Sequence, residues 1–551
     1  MPASRSGSEL NLAAIHEAIA AAVPERECLV FRDRRLTWGQ VNERTRRLAD
    51  VLRGHGLGVR RERDELRNWE SGQDHVALYL YNGNEYLEGM LGAYKARCAP
   101  FNVNYRYVEE ELLYLFDNAD ARAVVFHAGF APTLARIRDR LPEVRLWLQV
   151  DDGSGEPLLA GALDYEKALA EAKPEAPRGL SADDLYILYT GGTTGMPKGV
   201  LWRQEDIYRA ALSGGSPLET LAAFAERARQ GPGPRSLPTA PFMHGAAHWA
   251  AFSAWHAGGA VIVPSHPQRL DPHDVWSTAA REKAQVLLIV GDAFARPLLD
   301  QLAVQDYDLS SLFLIVSGGA ILTAATKDHI LERLPHVRIM DALGSSESGT
   351  QGAHVSAAGS KASTGSFELG PSNVVLSDDL RRVLEPGSEE RGWLARSGRV
   401  PLGYYKDREK TERTFPEIGG VRFVVPGDRA SVAPDGLLVL HGRDSVTINS
   451  GGEKIFAEEV EHALKHHPAV YDAVVVGTPS ERWGQQVTAV VKLRGGERPS
   501  EDELRDACRT HIAAYKLPKA FVFVDEMVRS PSGKADYRWA KETALAALRE
   551  E

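Results

Sequence analysis

Apolar positions along this chain alternate between short continuous runs, which predict buried strands, and spacings of three and four, which predict amphipathic helices. A strand is predicted from His75 to Tyr81, and a helix from Tyr86 to Ala96. Further buried strands are predicted at 123–126, 185–189, 285–290, 312–316 and 338–343. Strands that alternate with helices are typical of parallel sheets covered by helices, so the pattern predicts an α/β fold.

Polar residues mark where several of these elements begin and end. Two capping boxes, at 37–40 and at 500–503, predict helix starts. The charged residues 59–74 predict a surface loop. Gly and Pro at 230–238 predict a connection, and Ser, Gly and Ala at 353–365 predict a mobile segment.

The pattern changes after Gly442. A helix is predicted from Ala457 to His466, followed by strands at 470–476, 486–492 and 520–524. About a hundred residues with their own α+β pattern are enough for a small domain. We therefore predict an N-terminal domain at 1–442 and a C-terminal domain at 443–551.

Composition is that of a large globular protein. With 551 residues, 43% of them hydrophobic and 25% charged, the chain can bury more than one core. The formal net charge of −10 argues against a nucleic-acid-binding protein, because phosphate would be repelled. Substrates or partners of another class are therefore expected.

Cysteine usage and hydropathy restrict the location. Cys28, Cys98 and Cys508 are scattered and odd in number, which argues against a disulfide framework and against a zinc site. No segment approaches the roughly 18 uninterrupted apolar residues of a membrane span. We expect a cytoplasmic protein, and peripheral membrane contact and homo-oligomerisation stay open.

A run of glycines and threonines follows the predicted strand 185–189. It comprises Thr190, Gly191, Gly192, Thr193, Thr194 and Gly195, and Lys198 follows shortly after. Glycines adopt positive φ at little cost, so backbone N–H groups, hydroxyls and the Lys198 ammonium can converge on phosphate oxygens. Pro197 before the lysine and Gly199 after it exclude the GxxxxGK[ST] motif. The run predicts a polyphosphate site of another kind, and a plain surface turn is the alternative.

Two further turns follow predicted strands. Backbone at Gly318, Gly319 and Ala320 could approach a flat ligand, although glycines there can also serve the turn alone. The second turn comprises Leu343, Gly344, Ser345 and Ser346 and ends at Glu347. The Glu347 carboxylate is a hard oxygen ligand suited to Mg²⁺ that accompanies a nucleotide. A solvated surface glutamate is the alternative.

Two charged residues stand out nearer the C-terminus. Asp428 follows Gly427, and one carboxylate can accept hydrogen bonds from both hydroxyls of a ribose. A plain Gly–Asp turn is the alternative. Lys534 ends the loop that begins at Ser530, and by itself it would be an ordinary exposed lysine.

Together and in this order, these motifs resemble those of the adenylate-forming enzymes, which comprise acyl-CoA synthetases, adenylation domains of peptide synthetases and firefly-type luciferases. The resemblance runs from near residue 30 to about 540, almost the whole chain. It implies a large N-terminal domain of helix-covered sheets with a β-barrel-like subdomain, and a small, mobile α+β C-terminal domain.

The resemblance also implies roles for individual residues. The catalytic group would comprise Lys534, Glu347, His244 and Lys198, with Glu347 on Mg²⁺ and His244 closing over the substrate carboxylate. Nucleotide contacts are implied for 190–195, Lys198, 318–320, 343–346, Asp428 and Arg443. The loop with Gly451 and Gly452 resembles the one that approaches the pantetheine arm of coenzyme A.

Two positions depart from the family pattern. Leu343 stands where an aromatic residue usually stacks on adenine, and Ser445 stands where the hinge residue is usually Asp or Lys. Adenine would then be held by apolar contact and by the backbone at 318–320. In this family the C-terminal domain adopts two orientations. The serine at 445 puts in question how these two orientations are balanced, not whether the domain moves.

The reaction that the resemblance implies joins a carboxylic acid to coenzyme A at the expense of MgATP, through an acyl adenylate. Amino-acid-activating members carry an aspartate around 242–249, and this chain has none there, so an apolar acid is favoured. Met243, Trp249 and Ser317 are candidate pocket walls. The amino-acid sequence at 102–106 and 201–206 resembles that of the branch that activates long-chain fatty acids and steroid side-chain acids.

Other functions stay open. An acyl-AMP ligase that loads a carrier protein and an aryl-CoA ligase are the nearest alternatives. A nucleotide-binding regulator with a disabled site is an alternative from another class, against which the intact Lys198, Glu347, Asp428 and Lys534 argue.

Overall fold

The computed structural model describes residues 10–190, 196–215, 217–360, 363–370, 372–443, 446–450, 453–480, 483–495, 498–530 and 533–550. The helices are α1 Leu12–Ala22, α2 Trp38–Gly54, α3 Asn84–Lys95, α4 Glu109–Asn118, α5 Ala131–Ile137, α6 Tyr165–Glu171, α7 Gln204–Ile207, α8 Leu221–Gln230, α9 Gly245–His256, α10 Pro272–Arg281, α11 Gly291–Val304, α12 Ala324–Arg333, α13 Arg408–Thr414, α14 Ala457–Lys465, α15 Glu501–Arg509 and α16 Tyr537–Glu550.

The strands are β1 Glu27–Phe31, β2 Arg34–Thr37, β3 His75–Tyr79, β4 Ala99–Asn102, β5 Ala121–His127, β6 Leu146–Val150, β7 Leu163–Asp164, β8 Leu185–Thr190, β9 Lys198–Arg203, β10 Arg235–Pro238, β11 Ala260–Val263, β12 Val286–Ile289, β13 Leu314–Gly318, β14 Arg338–Ser345, β15 Gly349–Ala357, β16 Ser366–Leu369, β17 Asn373–Leu376, β18 Gly392–Ser397, β19 Gly403–Tyr404, β20 Glu417–Ile418, β21 Val421–Val424, β22 Asp428–Val432, β23 Leu438–Arg443, β24 Thr447–Ser450, β25 Glu453–Phe456, β26 Val470–Ser480, β27 Gly484–Leu493 and β28 Ala520–Phe523.

Two parallel sheets form the first part of the protein. One has the strand order β4-β3-β5-β6-β7, and the other runs in parallel through β1-β11-β10-β12-β13-β14. Their strands are buried because helices pack on them, and the largest apolar core includes Trp38, Trp202 and Trp255. The predicted α/β class is confirmed.

The second sheet continues into an antiparallel subdomain. β15 turns back on β14, and pairing proceeds through β16, β23, β22, β18, β21 and β20, with β17 beside β18. Phe367, Val375, Leu394 and Leu438 form a separate core there. The described pairings make this subdomain an antiparallel continuation of the main sheet.

The C-terminal strands form their own sheet, in the order β25-β24-β27-β26 with β28 parallel to β27. Ile455, Val475, Val491 and Leu504 belong to a core that is separate from those of the N-terminal part. Both helices that begin in predicted capping boxes are present, with Thr37 and Ser500 as N-caps. The division of the chain at 442 stays a prediction.

Two segments differ from their predicted character. Residues 353–357 belong to β15, so the prediction of a mobile segment is wrong for them, and α8 and β10 shorten the predicted connection to 231–234. Pairing of β15 with β14, and of β10 with the more distant β12, outweighs the local preference for turns. Within the described chain, every helix is too short or too polar to cross a bilayer.

Candidate active site

The predicted phosphate-binding run lies in a hairpin between β8 and β9. Thr190 ends β8 and pairs with Lys198 at the start of β9. The predicted residues Gly191, Gly192, Thr193, Thr194 and Gly195 lie outside the described residues. The hairpin therefore places the Lys198 side chain at the base of this turn.

Lys198 forms an ion pair with Asp407. Asp407 caps α13 by accepting a hydrogen bond from the Lys410 backbone N–H at 2.9 Å. Burial opposes ionisation of Asp407, but the hydrogen bonds from Lys198 and from the Lys410 backbone lower its pKa. The Lys198 ammonium is therefore held in place by a carboxylate that stays charged.

Glu347 belongs to the same group of side chains. The Tyr404 hydroxyl, on β19, donates to Glu347 Oε1 at 2.9 Å, and Lys410 Nζ lies 4.3 Å from the centre of the Tyr404 ring. Burial and the nearby Lys198 ammonium lower the pKa of Lys410. Tertiary structure thus brings Glu347 and Lys198 together through Tyr404, Asp407 and Lys410.

The sequence alone did not predict Tyr404, Asp407 or Lys410 as site residues. The one local signal was the aspartate that precedes a polar helix, since Asp is favoured at N-cap positions. That signal predicts a helix start but gives no reason to place it beside a phosphate-binding hairpin.

One cavity of about 1850 Å³ lies beside this cluster. Its lining includes most of the other predicted site residues, namely Thr190, His244, Gly318, Gly319, Leu343, Gly344, Ser345, Ser346 and Lys534. They come from the ends of β8, β13 and β14, from the start of α9 and from the C-terminal domain. Open parallel sheets bind ligands beyond the carboxyl ends of their strands, and part of this cavity lies there.

The predicted ribose contacts lie on neighbouring strands. Asp428 begins β22, and its register partner on β23 is Arg443. Asp428 is buried and so presents a carboxylate that is shielded from bulk water. The structure therefore brings these two predicted residues side by side.

Lys534 reaches the cavity from the C-terminal domain. A Cβ atom added at Gly319, where φ is +88°, would lie 3.6 Å from Lys534 Cε. The Lys534 side chain therefore lies next to the backbone at Gly319. The Lys534 backbone N–H donates to Ser530 Oγ at 3.1 Å, and the Ser530 N–H donates to the Lys534 carbonyl at 2.9 Å, which closes the loop.

His244 stands immediately before α9 and lines the same cavity. Burial is the main cause that lowers the pKa of His244 to about 3, and the Lys534 ammonium is the second. The ring is therefore neutral at pH 7. Its buried Nε2 atom has no hydrogen-bond partner within the described chain. A neutral imidazole in this position can exchange one hydrogen bond with a bound carboxylate.

Away from these polar groups, the cavity continues as a space that we call the apolar tunnel. Its floor is one face of the main sheet, where alternate positions of β12, β13 and β14 contribute Val286, Leu288, Leu314, Val316 and Met340. Its second wall is one face of α9 together with the residue that follows the helix, where small residues leave room, namely Ala246, Ala250, Ser253 and Ala257. The α9 helix has 12 residues, so at roughly 1.5 Å per residue the tunnel follows it for about 18 Å.

The candidate pocket walls are only partly where they were predicted. Met243 and Trp249 line the cavity, and Trp249 Nε1 donates to the Tyr186 hydroxyl at 2.8 Å, which fixes the indole. The prediction for Ser317 is wrong. Its side chain points to the other face of β13, is completely buried and accepts a hydrogen bond from the Gly291 N–H at 3.2 Å.

A buried arginine joins the two domains. Arg296, on α11, donates to the carbonyls of Val470, at 3.2 Å, and Tyr471, both on β26 of the C-terminal domain. Asp292, one turn earlier, pairs with Arg296 at 3.2 Å. These contacts hold the C-terminal domain in the orientation that places Lys534 in the cavity.

Comparison with known proteins identifies the family of the chain. Residues 16–405 match the AMP-binding enzyme family, and residues 459–534 match the AMP-binding enzyme C-terminal domain. The medium-chain acyl-CoA ligase Mig of Mycobacterium avium is 50% identical over 98% of this chain and all of its own length. The 3-oxocholest-4-en-26-oate–CoA ligase of Rhodococcus rhodochrous is 44% identical over 97% of this chain and 96% of its own.

The fold also matches solved structures. The anthranilate CoA ligase AuaEII in complex with anthranoyl-AMP superposes with a TM-score of 0.82 over 98% of each chain, at 24% identity. The resemblance that the sequence motifs indicated is confirmed by the matches along both domains. The chain therefore belongs to the AMP-binding enzyme family.

Proposed function

We propose that the protein is an ATP-dependent acyl-CoA synthetase that activates an apolar carboxylic acid of medium to long chain or with a steroid ring system. The observation that carries this proposal is that one end of the cavity is polar and holds Lys534 and His244, while the other end is the apolar tunnel. The relatives named as medium-chain and 3-oxocholest-4-en-26-oate CoA ligases support the same class of reaction.

The polar end suits a nucleotide. Lys198 and the hairpin would hold its phosphates, Asp428 and Arg443 its ribose, and the turns at 318–320 and 343–346 its adenine. Leu343 packs beside the core of the antiparallel subdomain, so adenine would lie against an aliphatic side chain there. These assignments follow the family pattern at matching positions, except at Leu343, where the family usually has an aromatic residue.

Magnesium fits Glu347 as a partner of the nucleotide. Among the described residues, no group of three acidic, histidine or cysteine side chains is placed to hold a metal ion. Mg²⁺ is commonly held by one or two carboxylates together with substrate phosphates and water. Tyr404 orients one oxygen of Glu347, and the metal would supply charge neutralisation beside the phosphates.

Lys534 and His244 would act where the acid meets the nucleotide. As a carboxylate oxygen attacks the α-phosphorus and pyrophosphate leaves, negative charge grows on the phosphoryl oxygens, and a fixed ammonium stabilises it by about 3–4 kcal/mol. Neutral His244 can donate a hydrogen bond to the carboxylate without neutralising it. In the second half-reaction the coenzyme A thiol attacks the acyl carbonyl and AMP leaves.

The second half-reaction would use another orientation of the C-terminal domain. Gly451 and Gly452, the predicted contacts of the pantetheine arm, lie outside the described residues, and their role stays a prediction. Domain rotation that exchanges Lys534 for this loop is a hinge-type switch.

The experiment is an acid-dependent assay of AMP release from ATP. We expect release that requires Mg²⁺, coenzyme A and a carboxylic acid, with decanoate or hexadecanoate far better than benzoate, because only long tails fill the apolar tunnel. Product analysis with coenzyme A as the sole thiol should give the acyl thioester. Accumulation of acyl-AMP without thioester would instead favour a carrier-loading ligase, and failure of every acid to give AMP would refute the proposal.

A further inference from the structure

The apolar tunnel ends in polar groups. Ser236, Ser253 and His256 all line the cavity at the end away from Lys534. Ser236 lies in the same row of the sheet as Val286 and Leu314. Leu314 precedes Gly318 by four residues on β13, so this row lies about 13 Å from Gly318 along the strand direction. His256 is the last residue of α9, while His244 precedes its first.

His256 presents a hydrogen-bond acceptor at this end. Its Nδ1 atom donates to the Leu212 carbonyl at 2.9 Å, which leaves Nε2 without a partner in the described part of the chain. Burial lowers the pKa of His256 to about 4, so Nε2 keeps its lone pair at neutral pH. The nitrogen is oriented by a backbone contact and lacks only a donor.

The two serines supply donors. Ser236 is 2% exposed, and its hydroxyl is buried without a hydrogen-bond partner in the described structure. An unsatisfied buried hydroxyl costs roughly 1–3 kcal/mol, so such groups are rare unless a ligand or water completes them. Ser253 lies one turn before the end of α9, on the face that lines the tunnel.

We propose that this end of the tunnel binds a hydroxyl group carried by the acid at the far end of its tail. The hydroxyl would donate to His256 Nε2 and accept from Ser236, which satisfies both. The inference rests on the proposed function and narrows the substrate class to acids whose oxygen function lies about 18 Å from the carboxyl, as on a hydroxylated sterol ring or an ω-hydroxy fatty acid.

The probes are two matched pairs of acids, hexadecanoate with ω-hydroxyhexadecanoate and octanoate with ω-hydroxyoctanoate. Only the longer hydroxy acid can reach the end of the tunnel. We expect kcat/KM for ω-hydroxyhexadecanoate to exceed that for hexadecanoate by about tenfold, the value of one net hydrogen bond. The shorter pair should show no such preference, because its hydroxyl would lie among apolar side chains.

Ser236→Ala should abolish the preference within the longer pair. The matched control is Ser356→Ala, because Ser356 is also a buried serine whose hydroxyl lacks a partner in the described residues, but it lies on β15 outside the tunnel lining. Ser356→Ala should keep the tenfold ratio.

The outcomes separate this inference from the proposed function. AMP release with hexadecanoate but equal or lower activity with its hydroxy analogue would overturn the inference alone, and so would a preference that survives in Ser236→Ala. Absence of AMP release with all four acids and with other carboxylates would overturn the proposed function itself.

Discussion

Replacing Arg296 with methionine should separate the two half-reactions. The guanidinium of Arg296 donates to two carbonyls of β26, and it is buried where α11 meets the C-terminal domain. A hydrogen bond from a charged donor contributes about 1.5–3 kcal/mol, so the two together stabilise this orientation by about 3 kcal/mol or more. Methionine keeps the aliphatic stem and removes both bonds.

Asp292, the carboxylate that pairs with Arg296, keeps other hydrogen bonds in the variant. Asp292 also accepts hydrogen bonds from the Thr323 N–H at 2.9 Å and the Thr323 hydroxyl at 3.2 Å, so α11 keeps its local structure in the variant. The stabilisation that is lost is therefore that of the C-terminal domain in its present orientation. A change of about 3 kcal/mol corresponds to a factor of roughly 10² in population.

The assay measures each half-reaction separately. Acid-dependent exchange of pyrophosphate into ATP reports adenylation, and we expect it to fall by about 10² in kcat/KM. Thioester formation from supplied acyl-AMP and coenzyme A should be retained or become faster, because it uses the other orientation.

The same interface contains a matched control. Arg494 and Asp300 form an ion pair at 4.0 Å, with side chains 43% and 58% exposed. Exposed pairs contribute about 0–1 kcal/mol, so Asp300→Asn should leave the ratio of the two half-reactions nearly unchanged. Equal losses in both halves for Arg296→Met, or a similar effect of Asp300→Asn, would refute the reasoning.

Three further predictions concern the site. Lys534→Ala should lower pyrophosphate exchange by about 10²–10³ and spare thioester formation from supplied acyl-AMP; equal losses would contradict its assigned role. Tyr404→Phe should raise the Mg²⁺ concentration for half-maximal rate roughly tenfold, because Glu347 loses its orienting bond, whereas the neighbouring Tyr405→Phe should not. Burial lowers the pKa of His248 to about 4. The unfolded chain therefore binds an extra proton between about pH 6.5 and 4, and the unfolding free energy falls as pH falls through that window. His248→Gln should reduce the urea-measured loss between pH 7 and pH 5 by about 2 kcal/mol.

The sequence predicted the features that depend on neighbours along the chain. Apolar runs and helical spacing gave the α/β class, and Thr37 and Ser500 marked helix starts because capping needs only residues three positions apart. The motif order led to the family, because its glycines, charged residues and hydroxyls each occupy a short segment. Among the described residues, Lys534, His244 and Gly319 then meet in one cavity.

Only the tertiary structure decided which distant residues share a surface. Arg296 and Tyr404 carry no local signal, and their importance comes from contacts with residues that folding brings near, such as Tyr471 and Glu347. In the sequence Ser236 looks like an ordinary strand residue, and only the packing of α9 over the sheet shows that it lines the cavity. Periodicity along a strand fixes which residues share a face, but what covers that face depends on the packing of elements far apart in the chain.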